Sequence, residues 1–124
     1  MKQAFLVFLG GGIGSMLRYL ISNQLNSISI TFYWGTFVVN ILGCLIIGTL
    51  LGLSAKENWL STDQTLLLAT GFCGGFTTFS TFALEKHTLL KSGEIFHFLL
   101  YTITSILLGI LAIAIGILLS KAIK

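Results

Sequence analysis

The chain has 124 residues, of which 55% are hydrophobic, 9% are charged and none is proline. Roughly a quarter of the residues of a soluble domain are charged, so this composition excludes a soluble globular domain. It also excludes a disordered chain and a secreted disulfide scaffold. Most of the surface must therefore face lipid or other protein, and the net charge of +3 comes largely from lysines near helix ends, with no nucleic-acid-binding surface.

Four apolar runs are long enough to cross the hydrocarbon core as helices, which takes roughly 20 residues each. They extend from about Ala4 to Ser22, Phe32 to Leu53, Thr65 to Leu84 and Ile95 to Ser120. The runs lack the alternation of barrel strands and are too long for them. The sequence therefore predicts an all-α, multi-pass protein of a cell membrane, with one four-helix transmembrane domain spanning 1–124. A cleaved signal peptide in place of the first run would leave the same class.

Basic residues near helix ends set the orientation of membrane helices. With four spans, the N-terminal end, the second loop and the C-terminal end share one side. The two sides carry nearly equal positive charge: Lys2, Lys56, Lys121 and Lys124 against Lys86, Lys91 and Arg18. This balance predicts either weak orientation or insertion both ways, with pairing to an inverted copy.

Glycines four apart let helix backbones approach each other closely. Three such pairs are present: Gly10 and Gly14, Gly48 and Gly52, and Gly71 and Gly75. They predict tight helix packing without naming the partner helix. Cys44 and Cys73 lie inside spans without a His or acidic cluster and are interpreted as small core residues.

Polar residues inside spans are costly unless paired or functional. No Asp or Glu falls in the middle of a predicted span, which argues against a proton-coupled exporter. Arg18 is either a snorkelling residue or a fixed positive charge in a water-filled vestibule. Thr36 and Asn40 share one helical face, and Asn40 either bonds across a helix interface or offers pore-lining donors to an anion.

The third span contains adjacent glycines followed by four hydroxyl residues, from Gly71 to Phe82. Adjacent glycines weaken a helix by roughly 1 kcal/mol each relative to alanine, and Ser or Thr can satisfy the groups that a break releases. We expect a helix broken near mid-membrane, whose freed carbonyls, converging from two chains, would form a small cation site. The alternative is a continuous helix whose glycines only permit close packing.

Phe76, Phe79 and Phe82 follow one another at intervals of three and are expected to project along one face. Aromatic rings have positive edges, so rings presented edge-on to a narrow path would stabilise a small anion. Ser80 and Thr81 add hydroxyl donors between them. This lining suits a small, strongly hydrated anion better than a cation.

Three blocks of this sequence resemble the signature blocks of the Fluc (CrcB) fluoride channel family. They are GGIGSMLRY at 11–19, GTFVVNILG at 35–43 and GFCGGFTTFSTF at 71–82. The third block is the most specific, whereas the fourth span matches in hydropathy only. Ser15 stands where the family often has alanine.

The resemblance implies a passive fluoride channel that releases cytoplasmic fluoride. It also implies an antiparallel, dual-topology homodimer with two fluoride pathways and a central structural sodium ion. By position, it makes Phe79 and Phe82 the edge-on pore rings and Asn40 the pore amide, with backbone carbonyls of Gly74 and Thr77 on the sodium. The other residues implied along or beside the route are Arg18, Thr36, Ser80, Thr81 and Glu85, with Tyr101 and Ser105 as weaker candidates.

Two alternatives stay open beside the fluoride channel. One is a small proton-coupled exporter, and the other is a subunit that conducts only with a paralogous partner. No nucleophile paired with a base and no phosphate-binding loop is present, so an enzyme is not expected.

Overall fold

The computed structural model describes residues 1–29, 31–56 and 59–123, and all regular structure in these ranges is helical. Helix α1 spans Lys2–Leu25, α2 spans Trp34–Ser54 and α6 spans Ile95–Ala122. The third segment contains α3 (Thr62–Thr65), a π-helical stretch π1 (Leu66–Cys73), α4 (Gly74–Phe76) and α5 (Phe79–Lys91). Four helical segments are long and apolar enough to cross a membrane. The predicted all-α, four-span class is confirmed; Lys124, one of the charges counted above, lies outside the described residues.

The third segment is longer at both ends than the apolar run that predicted it. It starts at Thr62 because Ser61 forms a capping box, accepting from the Gln64 amide at 3.2 Å while its own amide donates to Gln64 Oε1. It continues past Leu84 to Lys91, and the chain then turns at Gly93, whose φ is 78°. Glu85 and Lys86 ended the apolar run in the sequence, yet both lie in the helix and are buried.

Glycines hold α1 against π1 and α4. A Cβ at Gly10 or Gly14 would collide with the backbone of Leu67 to Phe76, and one at Gly75 would meet the backbone of Gly11, with its carbonyl carbon at 2.9 Å. Gly71 lies equally close to α1. The first and third predicted glycine pairs therefore pack against each other.

Helix α2 packs in the same way against α6. A Cβ at Gly48 would meet Ile113 Cα at 2.8 Å, and one at Gly52 would overlap the Ser120 side chain. On the facing helix, a Cβ at Gly116 would meet the Thr49 amide at 2.7 Å. The chain therefore contains two glycine-packed helix pairs; the close packing was predicted from the spacing of the glycines, whereas the choice of partners was not.

Lysine contacts bring the two ends of the described chain and the second loop together. Lys56 Nζ donates to the carbonyls of Ser120 and Ile123, at 2.6 Å each. Lys2 forms an ion pair with Asp63 at 2.5 Å. With four spans, the N-terminal end, the second loop and the C-terminal end must lie on the same side of the membrane, and these contacts agree with that arrangement.

The third segment changes conformation between α4 and α5. Thr77 has φ −81° and ψ 157°, and Thr78 has φ −148° and ψ 118°, both extended. Helix α5 then begins afresh, with the Thr78 hydroxyl accepting from the Thr81 amide at 3.2 Å. Two residues of extended backbone thus separate two helical pieces of a single membrane-length segment.

Candidate functional site: two grooves and a buried polar cluster

Asn40 of α2 holds the extended backbone of Thr78 through both ends of its amide. The Thr78 amide donates to Asn40 Oδ1 at 2.8 Å, and Asn40 Nδ2 donates to the Thr78 carbonyl at 3.2 Å. The side chain therefore pairs with this residue much as a neighbouring strand would. Both hydrogen-bonding groups of Thr78 are satisfied without a helix.

Helix α1 satisfies a second group that the interruption releases. The Gly75 carbonyl accepts from Arg18 Nε at 3.0 Å and from the Ser15 hydroxyl at 3.3 Å. In a continuous helix this carbonyl would accept from the amide four residues later. Arg18 therefore stabilises the interruption as well as carrying a positive charge.

An open cavity of about 640 Å³, here called the aromatic groove, lies beside the interruption. Its polar lining comes from Asn40, Thr70, Thr77, Thr78 and Ser105. Its other lining residues are Gly43, Cys44, Ile47, Ala69, Cys73, Gly74, Phe79, Phe82 and Ile106. None of these described residues is an Asp, Glu, His, Lys or Arg, so the groove is lined by aromatic rings and uncharged polar groups.

Phe79 and Phe82 lie together at the groove, with ring centroids 6.3 Å apart. Phe79 is 80% exposed in the single chain. Phe76 does not join them, because the extended residues change the direction of the segment after it. Its ring is buried and stacks on Phe72 with centroids 5.4 Å apart. The expectation of three rings on one face is therefore wrong for Phe76.

A second cavity of about 420 Å³, here called the polar groove, lies on the α1 side of the interruption. It is lined by Arg18, Tyr19, Ser22, Asn23, Asn26, Ser27, Thr78 and Thr81. Thr78 lines both grooves, and its hydroxyl donates to Thr81 Oγ1 at 3.1 Å and lies 3.4 Å from Ser80 Oγ. Hydroxyl groups therefore connect the polar groove to the aromatic one.

A carboxylate is buried between α2, α5 and α6. Glu85 accepts from the Thr36 hydroxyl at 2.5 Å and from the Tyr101 hydroxyl at 2.8 Å. Thr36 and Tyr101 are fully buried, and the Tyr101 ring meets the Phe82 ring edge-to-face at 5.2 Å. The cluster therefore adjoins the aromatic groove through Phe82.

A family model described as CrcB-like protein, Camphor Resistance (CrcB), matches residues 5–117. The chain belongs to the CrcB family. It is 49% identical over 122 residues to a Phocaeicola vulgatus protein named fluoride-specific ion channel FluC, covering 98% of this chain and 100% of that one. Relatives of the same name from Azobacteroides pseudotrichonymphae and Flavobacterium psychrophilum are each 44% identical over 122 residues, covering 98% of both chains.

The residues predicted from the CrcB resemblance fall into three neighbouring groups. The aromatic groove contains Asn40, Gly74, Thr77, Phe79, Phe82 and Ser105. The polar groove contains Arg18 and Thr81, with Ser80 exposed close by. Thr36, Glu85 and Tyr101 form the buried cluster.

Two residues of this CrcB chain were missed as site residues. Thr78 lines both grooves, and its signal was a hydroxyl three positions before Thr81, the spacing of a helix cap. Lys86 lies beyond the predicted end of the third span at Leu84, but its ammonium lies over the Tyr101 ring at 3.7 Å and the Phe82 ring at 4.3 Å. Its signal was the spacing of four from Phe82, which places the two on one helical face.

Proposed function

We propose that this chain forms a fluoride-selective channel that lets cytoplasmic fluoride leave the cell passively and so relieves its toxicity. Its CrcB membership and its likeness over nearly the whole chain to relatives named fluoride-specific ion channel support this function. The observation that carries it is the aromatic groove. Two phenylalanine side chains, hydroxyls and an amide line the groove beside extended backbone, and no charged side chain is among its described lining residues.

In this proposal, fluoride selectivity follows from the lining of the aromatic groove and from the hydroxyl groups that connect it to the polar groove. Fluoride is costly to dehydrate, so a narrow path must return hydrogen bonds and favourable dipoles as water leaves. In this proposal the edges of Phe79 and Phe82 and the hydroxyls of Thr78, Ser80 and Thr81 supply them. Larger halides are excluded by size, and cations find no carboxylate in the groove.

The extended backbone at Thr77 and Thr78 supports a dimer. We place this interruption near mid-membrane, where irregular backbone is tolerated only if protein or a water-filled cavity covers it. The aromatic groove is open in a single chain, so a second copy is the cover that we propose. The nearly balanced basic residues favour an inverted copy, giving an antiparallel homodimer with two pathways.

The same arrangement fits a structural sodium ion at the dimer centre. The Thr78 amide donates to Asn40, so the Gly74 carbonyl loses its helical donor, and Gly74 lies exposed on the groove with nothing within 4 Å of a Cβ position. Thr77 lines the same groove, and its hydroxyl is directed back to the Cys73 carbonyl at 2.8 Å. Backbone carbonyls of Gly74 and Thr77 from two chains would hold the ion, which would supply positive charge to join the copies.

The decisive experiment is fluoride efflux from liposomes that contain only this purified chain, followed with a fluoride electrode. We expect fast, voltage-driven fluoride release without chloride release and without an imposed proton gradient. Empty liposomes and chloride-loaded liposomes serve as controls. No fluoride release from a folded dimer would contradict a self-sufficient channel and would favour the subunit that requires a paralogous partner.

Buried Glu85 gives the proton-coupled exporter a specific basis, because such a carrier needs a titratable group inside the membrane. Repeating the efflux assay with an imposed proton gradient separates the two functions. A channel releases fluoride at a rate set by the fluoride concentration gradient and the voltage, whereas an exporter also needs the proton gradient. Fluoride movement against its own gradient, driven by protons, would refute the channel.

Dimer orientation is tested with two tandem fusions of the chain. Since the second loop and both ends of the described chain lie on one side, a soluble linker forces two parallel copies, and a linker with one extra transmembrane helix allows antiparallel copies. We expect fluoride flux only from the second fusion. Thermal unfolding of the dimer with sodium or with a large organic cation then tests the ion, and equal midpoints in the two salts would contradict it.

A further inference from the structure

Lys86 is a buried cation that the pathway described above does not use. It is 7% exposed, and within the part of the chain that the structure describes its ammonium makes no hydrogen bond. Instead, aromatic rings surround Nζ, with centroid distances of 3.7 Å to Tyr101, 4.3 Å to Phe82 and 5.7 Å to Phe98. A buried ammonium without hydrogen bonds is costly, so its position over these rings needs a reason.

The ring that holds this cation is also a ring of the aromatic groove. Phe82 lies four residues before Lys86 on α5, so the two side chains share one helical face. One surface of the Phe82 ring faces Lys86, while the residue also lines the groove beside Phe79. Phe82 therefore connects a buried positive charge to the open path.

A cation over a ring face attracts the π electrons toward itself. The hydrogens at the ring edge then carry more positive charge than in an isolated ring. We propose that Lys86 is a positioning residue that strengthens the attraction of the Phe82 edge for fluoride, although its own ammonium never contacts the ion. The Nζ atom is inaccessible in the folded chain, which is why the charge acts through the ring.

Glu85 allows this charge to be buried. Its carboxylate accepts hydrogen bonds from the hydroxyls of Thr36 and Tyr101. Glu85 directly precedes Lys86 in the chain. The negative charge is thus held by two donors away from the groove lining. The positive charge of Lys86 lies against the aromatic rings. Glu85 and Lys86 are therefore neutral as a pair, but the ammonium draws the π electrons of Phe82 toward itself.

This inference rests on the proposed fluoride channel, and its test compares three variants in the liposome assay. Lys86→Met keeps the length and removes the charge, Lys86→Arg keeps the charge, and Lys91→Met removes an exposed charge from the same helix. We expect Lys86→Met to raise the fluoride concentration for half-maximal flux several-fold, because the Phe82 edge then loses the nearby cation that makes it more positive. Lys86→Arg and Lys91→Met should stay near the unsubstituted protein.

Ionic strength separates a ring-mediated effect from a long-range field. At about 1 M of an impermeant salt, screening extends over only about 3 Å, so a general surface potential disappears. The buried contact is not screened, and the change caused by Lys86→Met should persist. A change that vanishes in high salt would overturn the proposal.

Three further outcomes are informative. If the unsubstituted chain conducts no fluoride, the channel itself fails. If it conducts and Lys86→Met behaves identically, only the role of Lys86 fails. If Lys86→Met and Lys86→Arg both lose flux together with a lower thermal unfolding midpoint, Lys86 is a packing residue and the proposal is wrong.

Discussion

Replacing Asn40 with leucine removes the amide that holds the extended backbone while keeping the number of heavy atoms and the branching at Cγ. Asn40 makes two hydrogen bonds to Thr78, of 2.8 Å and 3.2 Å. Hydrogen bonds between membrane helices contribute about 0.6 kcal/mol on average and up to about 1.7 kcal/mol. Since both are lost together, we expect Asn40→Leu to lower the free energy of unfolding by about 1 to 3.5 kcal/mol, nearer the upper value because the Thr78 groups are left unpaired.

The matched control is Thr49→Val on the same helix. Thr49 donates to the Leu45 carbonyl one turn earlier at 2.9 Å, a local bond to a carbonyl that the helix already uses. Its loss should change the free energy of unfolding by less than about 0.5 kcal/mol. Both variants are measured in lipid bilayers or mixed micelles, with unfolding followed by steric trapping or by titration with a denaturing detergent.

A difference between Asn40→Leu and Thr49→Val below about 0.5 kcal/mol would refute the reasoning, because the pairing with Thr78 would then contribute no more than a local hydroxyl. Asn40→Asp tests whether the amide also serves the ion. The variant keeps the acceptor for the Thr78 amide and replaces the Nδ2 donor with an oxygen. We expect it to lose fluoride flux and also stability, because the new oxygen faces the Thr78 carbonyl and a carboxylate is costly inside a span.

Phe79→Ile should leave the fold of the single chain unchanged, since the ring is 80% exposed there, yet reduce fluoride efflux to background; retained efflux from the folded variant would sink the ring-edge role. Gly75→Ala should lower the yield of folded protein in size-exclusion chromatography, because its Cβ would meet the Gly11 backbone, whereas Gly12→Ala has nothing within 4 Å and should behave normally. Arg18→Gln should lower the free energy of unfolding by about 1.5 to 3 kcal/mol through loss of the charged bond to the Gly75 carbonyl, and an unchanged midpoint in detergent titration would show that the bond is dispensable.

Hydropathy and glycine spacing predicted the helical segments and their close packing, because both depend on local sequence. The four apolar runs correspond to the four membrane-length segments. Gly10 and Gly14 pack against the segment that contains Gly71 and Gly75, although the spacing alone could not say which pairs would meet. Helix partners depend on the whole fold, so the sequence predicted the contact surfaces without their partners.

Two predictions, the position of Phe76 and the end of the third span, were wrong because they assumed a regular helix and an uncharged span. A helical period placed Phe76 with Phe79, but that period ends at the extended residues Thr77 and Thr78. Charge ended the third apolar run at Leu84, but hydrogen bonds from Thr36 and Tyr101 let Glu85 lie inside the helix. Those donors come from other helices, so no window along the third segment could have revealed them.

Asn40 illustrates a different limit. The sequence left its amide divided between an interhelical bond and a pore donor, and the structure gives it a bidentate partner 38 residues away in Thr78. The bond to backbone leaves one Nδ2 hydrogen for an ion, because the amide nitrogen has two. The interhelical bond and the pore donor are therefore compatible. Measuring both stability and flux in the Asn40 variants shows how much the amide contributes to each.

Most of the groups that the interruption frees are satisfied by residues also expected along the pathway. Thr78 is held by Asn40, and the Gly75 carbonyl is held by Arg18 and Ser15. A substitution at Asn40 or Arg18 therefore changes fold and conduction together, so flux from such a variant must be expressed per amount of folded protein. Phe79 is mostly exposed, and Ser105 has a buried hydroxyl without a hydrogen-bond partner among the described residues. Because neither makes a bond that supports the interruption, these two positions report on the ion path with the least interference from folding.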